Sequence, residues 1–239
     1  MATRNRIHPL IARRAMRALR EDPDDTIAAI RVIVALSGNS SRRHYRRFRR
    51  TASGAQILHE KCDLYALLTD RDRLKAMRPG SLGRTIIDWF ERENISTEGL
   101  TQASEAARGD LDPGTDEDKD EQIYFSRLRN LHDVFHVLAG YDRDLRGESA
   151  VLAFTIAQNY NRGIAYLVWN ALRAEGWNSP GGKLIREGYR RGRRAKQLLS
   201  QDWEALFERP IDRVREQLGV GAPPVYEQLR STGAPALSA

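Results

Sequence analysis

The chain has 239 residues, 41% apolar and 30% charged, which is long enough to bury a sizeable core and too apolar for a disordered polymer. Its single cysteine, Cys62, excludes an intrachain disulfide and a thiolate-built zinc site, and suits a reducing compartment. A net charge of +7, carried mostly by arginine, points to phosphate, carboxylate or anionic lipid as partners rather than to solubility alone.

Helical periodicity recurs along the chain and strand alternation is hard to find, so the expected fold is all-α, a single-domain bundle of about eight or nine helices. The first helix is expected near 7–20. Its segment "MATRNRIHPLIARRAMRALR" carries six arginines and no acid, like a transit peptide, but it lacks serine. Its Ile7, Leu10, Ile11 and Leu19 form one edge of a structural helix. A second helix is expected over 24–37, with Asp24 or Asp25 as N-cap and Gly38 as its stop. "SSRRHYRRFRR" interleaves arginine with Tyr45 and Phe48, and reads as an interfacial segment, an RNA-binding one or a solvated face. Helices are then expected near 54–68, 70–77 and 81–94, the last after the break "RPGSLG". "STEGLTQASEAARGDLDPGTDED" is the longest irregular stretch.

Beyond it, helices are expected near 117–139, 147–175, 181–200 and 202–218, with Pro210 kinking or restarting the last. The most apolar run, "AVLAFTIAQNYNRGIAYLVWNAL", is interrupted by Gln158, Asn159, Asn161 and Arg162. A spanning helix would place that arginine near the bilayer centre at roughly 3 kcal/mol, so burial in protein is expected instead. "YRRGRRAKQLL" offers Arg190, Arg191, Arg193 and Arg194 to lipid phosphate, substrate carboxylate or solvent. Residues 1–239 read as one domain with a frayed tail at 232–239. No helix-turn-helix, RNP or zinc-finger pattern accompanies the basic stretches, so no nucleic-acid partner is expected.

The densest chemistry lies in "RLRNLHDVFHVLAGYDRDLRGESA". On a helix, Tyr124, Leu128, Leu131, Phe135 and Leu138 share one apolar face. His132 and His136 are one turn apart, roughly a quarter turn or more from that stripe. Phe125 and Arg129 share their side, and Asp133 lies just beyond. Gly140 is placed to end the helix as its C′ residue, and Glu148 stands at the start of the next. Two imidazoles at i and i+4 can converge on one ion, Asp133 adds a hard oxygen, and Glu148 can close the site from a second helix. Such a set suits a borderline divalent ion, zinc or ferrous iron.

Histidine pairs at this spacing also occur as ordinary surface or core residues. Among metal proteins, zincins need Glu directly after the first His, where Asp133 stands here. Di-iron bundles need two Glu-x-x-His copies, which this chain lacks. HD-type phosphohydrolases need a separate upstream His, for which His59 is the available residue.

HDVFH, eleven residues, then Glu resembles the HDxxH-x11-E signature of the coenzyme Q biosynthesis protein 4 family. "SGAQILHEK", "RPGSLGRTIIDWFERE" and "YRRGRRAKQLLSQDWEALFERPIDRVREQLGV" resemble further family segments in the family's order, over about residues 8–226. The resemblance implies an all-helical protein, peripheral on the membrane where quinone is made. It implies a divalent metal on His132, Asp133, His136 and Glu148, zinc by family habit with ferrous iron as the other candidate. It also implies a carbon–carbon lyase, removing the carboxylate at ring C1 of a polyprenylated 4-hydroxybenzoate precursor, with hydroxylation at that carbon linked to the same family.

Phe125, Arg129, Arg190 and Arg194 are candidate contacts to substrate or lipid. Other quinone-biosynthesis enzymes, an anionic membrane surface and a second copy in a homodimer are the expected partners. Because the match begins near residue 8, a bacterial-type member on the cytoplasmic face of the inner membrane is expected, without a transit peptide. The basic segments 7–20 and 42–50 would anchor it, with Ile7, Leu10, Ile11 and Phe48 inserting. A non-catalytic, lipid-binding scaffold for quinone-biosynthetic enzymes is the alternative from a different functional class.

Overall fold

A computed structural model describes residues 6–108 and 119–231, and the expected tail at 232–239 lies outside them. Among the described residues there are fourteen helices and no strand. The N-terminal half holds α1 (Pro9–Glu21), α2 (Thr26–Ser37), α3 (Ser40–Phe48), α4 (Ala52–Glu60), α5 (Leu64–Thr69), α6 (Arg71–Ala76), α7 (Leu82–Arg92) and α8 (Thr97–Arg108). The rest holds α9 (Lys119–Ala139), α10 (Leu145–Gln158), α11 (Arg162–Glu175), α12 (Pro180–Arg194), α13 (Trp203–Phe207) and α14 (Ile211–Leu218). The all-α expectation holds, and the larger number of helices comes from local stops that periodicity alone does not reveal.

The expected 54–68 helix breaks where Lys61 turns left-handed (φ 54°) and Asp63 caps α5 by accepting from the Tyr65 and Ala66 amides. The expected 147–175 helix breaks at Asn159–Asn161. There the Asn161 side chain accepts from the Gly163 and Ile164 amides at 2.7 and 3.1 Å, while its NH₂ donates to the Ser37 and Ser41 hydroxyls. Gln158 ties the same joint to the end of α12, donating to the Gly192 carbonyl at 2.6 Å and accepting from the Leu198 amide at 2.9 Å. Pro210 does restart the chain as the N-cap of α14. Two segments without an expected helix are helical: α8 occupies 97–108 of the longest irregular stretch, and α3 carries the Arg-rich run.

The stripe on α9 is the spine of the main core. Tyr124, Leu131, Phe135 and Leu138 are all 1% exposed or less, packed among Phe90, Phe154, Trp203 and Phe207. Side chains of that size, fully buried, each stabilise by about 1.5–3 kcal/mol, so α9 is held firmly along its length. α12 lies close on α10 because a Cβ at Gly188 or Gly192 would meet the Ala150 or Phe154 carbonyl oxygen at 2.4 or 2.5 Å. A second, smaller cluster of Ala15, Val32 and Leu167 joins α1, α2 and α11. Among the described residues, no helix is long and apolar enough to cross a membrane.

Candidate metal centre

The site forms where the C-terminal half of α9 faces the first turn of α10. Gly140, with φ 72°, turns the chain out of α9, and the His136 carbonyl accepts from the Gly140 and Tyr141 amides. Asp144 then caps α10 by accepting from the Arg146 and Gly147 amides. This short turn brings Glu148 back to the helix it left.

His132 and His136 present their Nε2 atoms 3.2 Å apart, with the two rings nearly perpendicular at 89°. Glu148 spans both, Oε2 lying 3.5 Å from His132 Nε2 and Oε1 3.4 Å from His136 Nε2. One donor atom from each residue falls within 4.8 Å of the others. The orientation of His136 is fixed from behind. Its Nδ1 lies 2.8 Å from the Tyr141 carbonyl, which only accepts, so Nδ1 carries a proton and Nε2 presents a lone pair to the site whenever the ring is neutral. Trp89 stacks on the same ring at 5.2 Å, and the imidazole is buried.

Electrostatics favour the charged forms. Burial alone would push Glu148 up, but the adjacent His136 and His132 hold it well below the usual carboxylate range. Burial would likewise lower His136, yet the Glu148 carboxylate, aided by the Tyr141 carbonyl, carries it above the ordinary imidazole value. Asp133 is buried beside the histidines, and desolvation raises its pKa despite their attraction. It is not in the convergent trio; the structure gathers three of the four expected ligands and leaves Asp133 as a neighbour in the wall.

These groups end a cavity of about 1230 Å³ whose other walls come from α1, α2, α8 and α11. Phe125 and Arg129 line it, together with Ile33, Leu152, Ile164 and Leu167. The Arg129 Nε is buried without a hydrogen bond, and desolvation followed by the nearby Arg108 lowers its pKa. Arg190 and Arg194 are not in this wall: both are exposed on α12, and Arg190 pairs with Glu187 at 3.3 Å. The buried arginine of that run is Arg191, which donates to the Ala139 carbonyl at 2.7 Å and so steadies the end of α9. His59 is exposed on α4, outside the trio, so it does not complete a phosphohydrolase site.

The family model described as coenzyme Q (ubiquinone) biosynthesis protein Coq4 matches residues 9–224. The chain belongs to the Coq4 family. Curated relatives include the rat ubiquinone biosynthesis protein COQ4 homolog, mitochondrial, 28% identical over 82% of this chain and 73% of that protein. The mitochondrial COQ4 of Candida tropicalis is 28% identical over 74% of this chain and 53% of that protein. The Neurospora crassa coq-4 protein is 27% identical, again with 74% of this chain but only 49% of its own length aligned. The chain thus spans about half the length of these fungal relatives. A crystal structure described as a ubiquinone biosynthesis protein from Nostoc punctiforme PCC 73102 superposes with TM-score 0.64 at 19% identity, covering 90% of this chain and all of the other, which shows the shared fold.

Within this Coq4-family chain the donor set fits a divalent ion. Two imidazole nitrogens and a carboxylate from two helices are the mixture zinc or ferrous iron accepts, and the Tyr141 carbonyl supplies the outer hydrogen bond such histidines need. Sequence pattern did not single out Trp89, Tyr141 or Arg191 as supports. Tyr141 carries one readable signal, since it follows the glycine that ends α9, where backbone groups fold back toward the last turn of the helix.

The basic segments are also placed. Tyr45 and Phe48 are buried against Tyr124, with ring centroids 5.4 and 5.3 Å away, so Phe48 is not free to insert into lipid. Arg43, Arg46, Arg47, Arg49 and Arg50 are exposed on the other side of α3 or just after it. Leu10 is 73% and Ile7 42% exposed, while Ile11 is half-buried.

Proposed function

We propose that this chain is a metal-dependent decarboxylase of ubiquinone biosynthesis, acting at ring C1 of a polyprenylated 4-hydroxybenzoate precursor. The single observation that carries the reading is the convergence of His132, His136 and Glu148 at the end of a largely apolar cavity. At about 1230 Å³ the cavity exceeds the roughly 300–1,000 Å³ of ordinary small-molecule sites, as a ring with a long isoprenoid tail requires. A bound divalent ion would supply Lewis acidity for the charge that builds on an aryl ring as its carboxylate leaves. His132, His136 and Glu148 would hold it.

The chain's own residues do the rest. Arg129, with its buried unsatisfied Nε, offers a guanidinium to the ring carboxylate and fixes which carbon faces the histidines. The walls from Phe125, Leu152 and Leu167 take the tail and exclude water from the ring. In the reaction the bond from C1 to the carboxyl carbon breaks, its electron pair stays on C1, and a proton replaces the lost carbon dioxide there. Exposing the tail to water would cost about 0.8 kcal/mol for each CH₂, so the tail passes directly from bilayer to cavity and the protein works at a membrane surface beside other enzymes of the pathway.

The test is turnover of a prenylated 4-hydroxybenzoate by purified protein in lipid nanodiscs, followed as release of carbon dioxide. His136→Ala is expected to abolish turnover and to remove the bound ion while the helical circular dichroism remains. Full restoration of quinone in a deletion strain by a folded His136→Ala variant would instead favour the scaffold reading.

A further inference from the structure

We propose that Tyr226, acting through Asp144, is a positioning residue that sets the approach of Glu148 to the two histidines. The inference rests on the metal-centre reading above and concerns a part of the chain far from it in sequence. After α14 the chain runs without regular structure across the turn that joins α9 to α10.

That crossing is fastened along its length. At its start, the Arg191 guanidinium that holds the Ala139 carbonyl also donates to the carbonyls of Val220, Gly221 and Ala222, at 3.2, 3.3 and 2.9 Å. At its centre the Tyr226 hydroxyl donates to Asp144 Oδ2 at 2.6 Å and accepts from the Asp142 amide at 2.9 Å. The Leu229 amide donates to Asp144 Oδ1 at 3.0 Å, and the Leu229 carbonyl accepts from the Leu145 amide at 2.9 Å. Arg230 then pairs with the buried Glu93 at 3.0 Å.

Asp144 is therefore a junction. One carboxylate caps α10 and receives the strap, and the Asp144 carbonyl accepts from the amide of Glu148 itself at 2.8 Å. Space has been left for the contact: a Cβ at Gly147 would lie 2.6 Å from the Tyr226 hydroxyl and 2.0 Å from the Asp142 carbonyl oxygen. Of the turn's side chains Tyr141 enters the main core, and the path of the rest is set by hydrogen bonds from the strap together with the Arg92–Asp142 pair from α7. Glu148 must meet two nitrogens at once, and ligand sets of this kind lose function when displaced by about 1 Å.

The experiment is metal binding by the full chain, with Zn²⁺ measured by competition against a chromophoric chelator and Co²⁺ by its visible absorption. Tyr226→Phe removes one hydroxyl and keeps the ring. It is expected to weaken both ions about tenfold, in the range for outer hydrogen-bond partners of ligands, and to change the Co²⁺ spectrum while the metal-free melting point moves little. Leu229→Pro, which removes the N–H that donates to Asp144 and fixes φ at an exposed residue, provides the same readout should Tyr226→Phe not fold. Wild-type affinity and an unchanged spectrum in a folded variant would overturn the proposal. A wild type that takes up neither ion would overturn the metal reading beneath it, and the proposal with it.

Discussion

On one side of the cavity, α9 and α10 carry the candidate ligands on helices whose backs are sunk in the main core; on the other, α1, α2 and α11 share a smaller cluster in which Ala15, Val32 and Leu167 are buried and Met16, Leu19, Ile33 and Leu36 are only partly so. The first wall must hold three donor atoms within a few ångströms of one another, and it does so with packed aromatics and a buried imidazole. The second faces the space assigned to an isoprenoid tail, which places no comparable demand on geometry. Regions with few buried apolar contacts open first, so the path for a long ligand is expected to lie through this thinner wall.

The largest effect that tests this contrast is Phe135→Ala. Phe135 packs edge-on to Phe154 at 5.3 Å in the ligand wall, and its removal is expected to cost about 3–5 kcal/mol in urea unfolding and to weaken metal binding as well. Leu167→Ala in the thin wall is expected to cost about 2 kcal/mol and leave metal affinity unchanged. Equal loss of metal in both variants would show that the walls are one unit.

The ligand wall was the more legible of the two. The apolar stripe of α9 and the i, i+4 histidines follow from helical geometry, and so does the αL turn at Gly140. Glu148 could be placed because its helix begins a short turn later. What periodicity could not show was the joint at Asn159–Asn161, since the apolar pattern continues across it and the amides are satisfied by Ser37, Ser41 and the end of α12, all remote in sequence. α8 is hard to read because Ser96, Thr97, Gly99 and Thr101 at its start resemble a loop, although good helix formers follow, and the helix packs on α2 and α5. Arg190, Arg191 and Arg194 are alike in residue type; the Ala139 carbonyl and those of 220–222, all remote in sequence, select Arg191 for burial.

A smaller, pH-dependent effect distinguishes the ligand wall with and without its ion. His136 is raised in the metal-free protein, so its pairing with Glu148 stabilises fully below the ordinary imidazole pKa of about 6.5 and is lost as pH rises through the raised value. Glu148 is depressed, so its share is present above about pH 4.3 and is lost only as pH falls through the lowered value. Metal needs the neutral imidazole. The gain in melting temperature on adding Zn²⁺ is therefore expected to grow from about pH 5.5 to about pH 8, and a gain independent of pH would remove His136 from the ligand set.

The smallest effects belong to the surface. With Phe48 buried, attachment through α3 has to be electrostatic, at about 1 kcal/mol for each arginine near an anionic bilayer. Changing Arg46, Arg47, Arg49 and Arg50 to Gln is expected to weaken sedimentation with anionic vesicles and to abolish its salt sensitivity. Unchanged binding would transfer the anchoring role to the exposed Ile7 and Leu10 at the start of α1, which adjoins the thin wall.

The stacking of Trp89 on His136 gives the centre a built-in optical reporter. An indole lying 5.2 Å from an imidazole, at 23° to its plane, loses excited-state energy to the ring when that ring is cationic and regains it when the charge is removed. Trp169 and Trp177 are exposed and emit as water-facing indoles, whereas Trp89 and Trp203 are buried and emit further to the blue. A change of charge at the site is therefore expected to appear at the short-wavelength edge of the protein's own fluorescence, over a constant contribution from Trp203, which packs on Phe207 instead.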